Sequence, residues 1–190
     1  MFRHHSAYAD LCNQIAILIF GSALRFSMAD IMIRKRKRMR SKEIKALAAQ
    51  LEETLGVPVF NENDAVDMAE SSDFNLIFVG NDILGISKDG VPFLTVRGIL
   101  EYAPSKKYVT VDMGAVPFVV NGADVMGPGI TDADPEIAEG DMVWIRDAKN
   151  LRPLAIGVSL RSGSDLASKQ PGKAIKSLHY VGDKLWKTGE

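Results

Sequence analysis

The segment 121–130, NGADVMGPGI, constrains the fold more than any other part of the chain. Four of its ten residues are glycine or proline, yet Val125, Met126 and Ile130 are apolar residues suited to a core. Glycine costs about 0.5–1 kcal/mol relative to alanine inside regular structure, so this density requires positive φ angles or close contacts. We interpret the segment as a helix end, a buried strand and a tight turn compressed into ten residues.

The second half of the chain alternates short apolar runs with turns from about residue 105 onward. This spacing predicts a small closed or nearly closed β-barrel that contains one short helix. The predicted strands are 107–112, 123–126, 142–146, 153–160, 173–180 and, as a further candidate, 184–187.

The first half is predicted to form a compact α+β unit. Its clearest element is a helix at 41–55, where Ile44, Leu47, Leu51 and Leu55 share one face and Ser41 is suited to cap the first turn. The other predicted elements are a strand at 57–60, a short helix near 62–70, strands at 74–80, 82–87 and 92–96, and a connecting helix at 97–104. The fold class is therefore α+β, with domains expected at 33–105 and 106–190.

Residues 1–32 are interpreted as a doubtful N-terminal extension, with the natural start at Met28 or Met32. The apolar run 15–26 is shorter than the roughly 20 residues of a transmembrane helix, and Arg25 interrupts it. We therefore expect no membrane association. The single cysteine, Cys12, excludes an internal disulfide and favours a reducing, cytoplasmic location.

Charge is distributed unevenly along the chain. Residues 1–45 carry ten Lys/Arg against three Asp/Glu, whereas residues 46–190 carry 13 against 21. The run 33–42 predicts either a phosphate-binding patch or a solvated arm, and the sequence leaves both open. Its basic residues are Arg34, Lys35, Arg36, Lys37, Arg38, Arg40 and Lys42.

The residues expected of an enzyme are missing from the sequence. His179 is the only histidine outside the first five residues, so a histidine-based triad or metal site cannot be assembled. The chain has no phosphate-binding loop with Gly-Lys-Ser/Thr and no dinucleotide fingerprint. We expect no catalytic residues, no metal, no cofactor and no small-molecule substrate.

Several motifs of the second half follow one another in a specific order. These are Gly114-Ala115, Gly122-Ala123, Pro128-Gly129, Gly140-Asp141, Gly172-Lys173, Gly182-Asp183 and Trp186. In this order, over about residues 107–187, the second half resembles the PUA domain, an RNA-binding barrel named after pseudouridine synthases and archaeosine transglycosylases. The first half is similar to the domain that precedes PUA in archaeal and eukaryotic translation-associated proteins. Among these are the malignant T-cell amplified sequence family and ligatin-type factors.

This resemblance implies an RNA surface between the short helix and the second strand of the barrel. Each glycine taken alone is better explained as a helix end or a turn residue than as an RNA contact. Relatives often carry a basic residue where this chain has Gly127, so we expect Gly127→Arg to strengthen RNA binding. The candidate residues are Gly114, Ala115, Asn121, Gly122, Ala123, Met126, Gly127, Pro128, Gly129, Lys106, Lys107, Arg161, Lys173, Lys184 and Lys187.

The resemblance also implies a function in translation. We expect the barrel to bind structured RNA, a tRNA acceptor end or ribosomal RNA, and the first half to dock on the small ribosomal subunit or a translation factor. His179 is implied to be structural or to face the RNA. Two alternatives stay open: an accessory RNA-binding subunit of a tRNA- or rRNA-modifying enzyme, and a protein-interaction module that has lost RNA binding.

Overall fold

The protein is built on two β-sheets, as seen in a computed structural model that describes residues 31–188. The first sheet contains five antiparallel strands in the order β1-β2-β3-β4-β5. These strands are β1 (Arg34–Arg38), β2 (Val66–Glu70), β3 (Asn75–Val79), β4 (Asp82–Lys88) and β5 (Val91–Leu94). Helix α1 (Ser41–Leu55) separates β1 from β2, and helix α2 (Val96–Tyr102) follows β5.

Helix α1 forms where its apolar periodicity predicts it. Ile44, Leu47, Leu51 and Leu55 are buried along one face, and Gly56 ends the helix with φ +71°. The start differs by one residue from the sequence-based prediction, because Ser41 is already helical. The helix is capped at Arg40, the residue before Ser41. The backbone N–H of Arg40 donates a hydrogen bond to the Glu43 carboxylate at 2.8 Å.

Two predictions in the first half were wrong. Residues 57–60 form no strand, and the helix expected near 62–70 is strand β2. A tight turn precedes β2, in which the Asn61 side chain accepts a hydrogen bond from the Asn63 N–H at 2.9 Å. Because β2 lies between β1 and β3, its backbone groups are paired on both sides, and this tertiary pairing overrides local helix propensity.

The second sheet has six strands in the order β7-β11-β10-β9-β6-β8. Strands β6 and β9 are parallel and all other neighbours are antiparallel. The strands are β6 (Tyr108–Val111), β7 (Val125–Met126), β8 (Ile130–Ala133), β9 (Met142–Asp147), β10 (Pro153–Ser159) and β11 (Lys173–Tyr180). The predicted α+β class is confirmed.

The helices of this half are α3 (Val116–Val119), α4 (Gly163–Ala167) and α5 (Lys184–Thr188). Only α3 was expected from the sequence. Residues 184–187, a candidate strand, lie in α5 because the Asp183 side chain accepts a hydrogen bond from the Trp186 N–H at 2.8 Å and caps the helix. Strand β8 was missed, since only Ile130 and Ala133 among its four residues are buried.

The second sheet is forced to curl by a short connection between its edges. Strands β7 and β8 are at opposite ends of the strand order, yet only the 3₁₀ turn Gly127–Gly129 connects them. In a flat sheet of six strands the edges would be about 24 Å apart. Four Cα steps reach at most about 14 Å, so the sheet must bend round into a barrel.

The two sheets share a hydrophobic core. Met142, Trp144, Ile156, Leu185 and Trp186 from the second half belong to the same buried cluster as α1 and the first sheet. The link is reinforced by Arg97 of α2, whose guanidinium lies 4.3 Å from the centre of the Trp186 ring and whose Nη2 donates to the Trp186 carbonyl at 3.0 Å. Because one core spans both halves, the domain boundary expected near residue 105 stays a prediction.

Replacing Ile156 by alanine tests the shared core. Ile156 is fully buried, so we expect Ile156→Ala to lower the free energy of unfolding by about 2–5 kcal/mol. Both halves should still unfold in one transition, because the cluster crosses from one to the other. Urea unfolding followed by fluorescence and by circular dichroism measures both effects. Leu160→Ala, at a partly exposed site, is the control, and two separate transitions in the wild type would contradict the expectation.

Candidate nucleic-acid interface

The turn Gly127–Gly129, here called the corner turn, is fixed on two sides. The Gly127 N–H donates to the Gly172 carbonyl at 2.9 Å, and the Asp112 N–H donates to the Gly129 carbonyl at 2.9 Å. A Cβ on Gly127 would lie 1.9 Å from the Gln170 carbonyl oxygen, closer than any real contact allows. Glycine is therefore required at 127 by close packing against the loop between α4 and β11.

The structure leaves no room for the arginine side chain that the Gly127→Arg expectation requires. Gly127 is buried, and an arginine there would have to displace the backbone of Gln170. Arg161 already supplies a cation beside this turn. Its guanidinium donates to the Gln170 carbonyl at 2.9 Å and to the Pro171 carbonyl at 2.7 Å, so Arg161 holds the neighbouring loop in place.

The candidate residues around α3 mostly have local structural contacts. The Ala115 N–H donates to the Asp112 carboxylate at 2.8 Å, and the Asn121 side chain donates to the Pro117 carbonyl at 2.7 Å. Gly122 has φ +80°, and a Cβ there would lie 2.5 Å from the Tyr180 ring. Gly114 and Ala123 are exposed. The backbone of this region is thus held rigidly from within.

Exposed apolar side chains lie on the corner turn and on the segment 113–118 that packs against it. Met126 and Pro128 are exposed, so Met126 is not part of the core for which its apolar side chain is suited. Met113 and Phe118 were missed, although their side chains are 49% and 66% exposed. A Cβ on Gly129 would lie 3.1 Å from the Ala115 Cβ, so the turn packs against the start of α3. We call Met113, Phe118, Met126 and Pro128 the apolar corner.

The sequence carried one signal for Phe118. Helix α3 has only one turn, so only one face of it points to the core. Val119 is the buried residue on that face. A large aromatic residue beside the buried valine is then directed outward. Exposed aromatic and apolar faces of this kind suit stacking against unpaired bases.

Several predicted cations of the second half are neutralised by the protein itself. Lys106 pairs with Glu136 at 3.0 Å, Lys107 with Asp141 at 2.8 Å, and Lys173 with Asp124 at 2.6 Å. The hydrogen bond from Lys173, with a second from the Ser177 N–H, holds the pKa of Asp124 below its ordinary value. Lys184 and Lys187 are exposed and have no acidic partner within residues 31–188.

The basic run 33–42 lies in β1 and at the start of α1, and its side chains fall into two groups. Arg36 and Arg38 both donate to the buried Asp67 carboxylate, Arg36 at 2.8 Å. Arg36 also lies 4.1 Å from the centre of the Phe78 ring, and Lys35 pairs with Glu70 at 2.9 Å. The cations without a carboxylate partner in the described part of the chain are Arg34, Lys37, Arg40 and Lys42.

His179 is structural. Its side chain is fully buried, and Nδ1 lies 2.8 Å from the Asp183 carboxylate. The alternative that His179 faces an RNA is therefore wrong. Across residues 31–188, no group of three His, Cys, Asp or Glu side chains is arranged to hold a metal ion. Over the same residues no helix is long and apolar enough to cross a bilayer, and the apolar run 15–26 lies outside the part described.

Known proteins are similar to this chain over most of its length. The family model of the PUA domain matches residues 107–181. The uncharacterized protein MJ1432 of Methanocaldococcus jannaschii is 40% identical over 162 residues, which cover 81% of this chain and 96% of the relative. Translation machinery-associated protein 20 of Eremothecium gossypii is 27% identical over 174 residues, covering 85% and 96%. Malignant T-cell-amplified sequence 1 of Danio rerio is 31% identical over 115 residues, covering 58% and 64%.

Solved structures agree with this pattern. A hypothetical protein of Pyrococcus horikoshii, PH0734.1, superposes with a TM-score of 0.72 and 35% identity, covering 82% of this chain and 100% of the other. A conserved PUA domain protein of Thermoplasma acidophilum gives 0.69 and 25%, with the same coverage. The similarity thus includes both sheets.

The pair of arginines on Asp67 makes stability depend on pH. The hydrogen bond from Arg38, followed by that from Arg36, holds the pKa of Asp67 below its ordinary value. The folded state therefore binds the proton less readily than the unfolded state. The resulting stabilisation is present above the unfolded pKa of about 3.9 and is lost as the pH falls through the folded pKa.

We expect Asp67→Asn to lower the free energy of unfolding by about 1–3 kcal/mol near neutral pH, with the deficit shrinking near pH 3. Urea unfolding of both proteins at the two pH values measures the difference. Glu70→Gln, which removes the exposed partner of Lys35, is the control and should change stability by less than about 1 kcal/mol. An Asp67→Asn deficit that is independent of pH would contradict the assignment.

Proposed function

Because this chain belongs to the PUA-domain family, together with the archaeal protein MJ1432 and relatives named for the translation machinery, we propose that it is a cytoplasmic RNA-binding protein of translation. Its barrel holds structured RNA, with a tRNA acceptor end or ribosomal RNA as the target. It acts without a cofactor and carries out no catalysis of its own. Docking on the small ribosomal subunit or on a translation factor is assigned to the first half.

The observation that carries this proposal is the apolar corner on a rigid backbone. Met126 and Phe118 are exposed beside a turn whose glycines are fixed by hydrogen bonds to Gly172 and Asp112. Exposing large apolar side chains to water is unfavourable, and burying them against a partner is favourable. Unstacked bases are suitable partners, because every base presents a flat π-face.

The distribution of unpaired charge supports the second part of the proposal. Arg34, Lys37, Arg40 and Lys42 are exposed and have no carboxylate partner within residues 31–188. Cations of this kind attract phosphate and release counterions on binding, which gives affinity without base specificity. Ribosomal RNA presents a large surface of phosphates, so these four residues suit a docking contact.

Direct RNA binding tests the apolar corner. We expect the double variant Phe118→Ala/Met126→Ala to bind tRNA about tenfold or more weakly than the wild type, because each lost stacking contact costs about 1–3 kcal/mol. Filter binding to tRNA across a salt series measures the effect. A comparison of tRNA with and without its 3′ CCA shows whether the acceptor end is the target.

Leu100→Ala is the matched control, since Leu100 is an exposed apolar residue on α2, in the first half of the chain. Circular dichroism verifies that all variants remain folded. Weak wild-type binding with no salt dependence would refute RNA binding and favour a protein-interaction module. Equal binding by the wild type and the double variant would refute the assignment of the corner.

Co-sedimentation with small ribosomal subunits tests the basic residues. Changing Arg34, Lys37, Arg40 and Lys42 together to glutamine should largely abolish co-sedimentation at physiological salt, where several phosphate contacts account for most of the affinity. Lys45→Gln, which alters an exposed lysine of α1 outside this set, is the control. Binding of free tRNA with no ribosome association in the wild type would instead favour an accessory subunit of an RNA-modifying enzyme.

A further inference from the structure

A cleft of about 460 Å³ lies between the two sheets. One wall is formed by residues of the first half, including Ile31, Phe74 and Lys88. The other wall is formed by β11 and the start of α5, including Lys176 and Lys184. The volume falls in the range of roughly 300–1,000 Å³ typical of ligand sites, but it is far too small for a nucleic-acid duplex.

The cleft is positively charged overall. Lys176 and Lys184 are exposed and form no ion pair within residues 31–188, while Lys88 pairs only with the highly exposed Asp89. Two acidic residues also line the cleft. These are Asp73 and Asp183, and three lysines against two carboxylates give the lining a net charge of +1. The Asp183 carboxylate also accepts hydrogen bonds from the Tyr180 and Trp186 N–H groups.

A buried hydroxyl in the cleft lining has no hydrogen-bond partner. Ser177 Oγ is inaccessible to bulk solvent and unpaired among the described residues, although its backbone N–H donates to Asp124 at 2.8 Å. Unpaired buried hydroxyls are uncommon because they lose their hydrogen bonds to water.

The cleft lies between the apolar corner and the basic strand β1. Strand β11 pairs with β7 through Lys173 and Met126, and Lys176 follows three residues later, about 10 Å along the strand. The wall from the first half includes Ile31, which precedes Arg34 of β1 by three residues. A chain that leaves the corner along β11 therefore meets Lys176 and Lys184 before it reaches β1.

We propose that a single-stranded segment of the bound RNA runs from the apolar corner through this cleft toward β1. The phosphates of this segment contact Lys176, Lys184 and Lys88, and the bases need not be read. The inference rests on the proposed RNA binding and adds that both halves hold one continuous strand. Lysine suits this contact, because a flexible ammonium group follows a backbone without demanding fixed geometry.

Two RNA hairpins with the same stem test the proposal with the full chain. One hairpin is blunt and the other carries a single-stranded 3′ extension of about six nucleotides, within the usual range of single-strand sites. We expect the wild type to prefer the extended hairpin by about tenfold at moderate salt and Lys176→Glu/Lys184→Glu to lose this preference. The dependence of log Kd on log salt for the extended hairpin should weaken by about 1–2 units in that variant.

The double variant Lys45→Glu/Lys149→Glu carries the same charge change outside the cleft lining and should keep the preference for the extended hairpin. If the wild type binds both hairpins equally, the cleft proposal is overturned while RNA binding stands. A preference that survives in Lys176→Glu/Lys184→Glu overturns it as well. If the wild type binds neither hairpin, the proposed RNA-binding function itself fails.

Discussion

A three-residue connection between opposite edges of the second sheet sets the geometry of the rest of this half. Strand β7 ends at Met126 and β8 begins at Ile130, so the six strands must curl until their edges meet at the corner turn. Closure requires the turn to pack against two neighbouring loops with no side chain at Gly127. Met126 and Pro128, on either side of the locked Gly127, are exposed, whereas Ile130 after the turn is buried. Barrel closure thus places two of the four side chains of the apolar corner.

The basic run shows that charge counted along a sequence and charge available to a ligand are different quantities. Arg36 and Arg38 converge on one buried carboxylate, and Arg36 also covers the Phe78 ring. These arginines fasten an edge strand to the sheet, and their lowering of the Asp67 pKa reflects that contact. An edge strand with so many cations also resists pairing with another sheet, which protects the protein against aggregation.

The sequence predicted what depends on local pattern and missed what depends on contacts between distant segments. Helix α1 follows from a 3.6-residue periodicity, and strand β9 from the apolar run MVWI between turns. Strand β2 was assigned to a helix because its two pairing partners lie elsewhere in the chain. Gly127 was taken for a missing cation because the Gln170 carbonyl that excludes a side chain is 43 residues away. The cleft had no sequence signal, since its walls come from both halves.

The shared core is what gives the cleft a defined width. If the two sheets were joined only by a linker, the distance between Lys88 and the wall with Lys176 and Lys184 would vary. Binding a ligand between them would then cost additional conformational entropy. Trp186 prevents this, because it is buried in the cluster that includes α1 and stacks on Arg97 of α2. Helix α5 therefore has two roles that follow from one position: Leu185 and Trp186 join the cores, and Lys184 at its start faces the cleft. The rigidity that stabilises the fold also fixes the positions of the lysines that line the cleft.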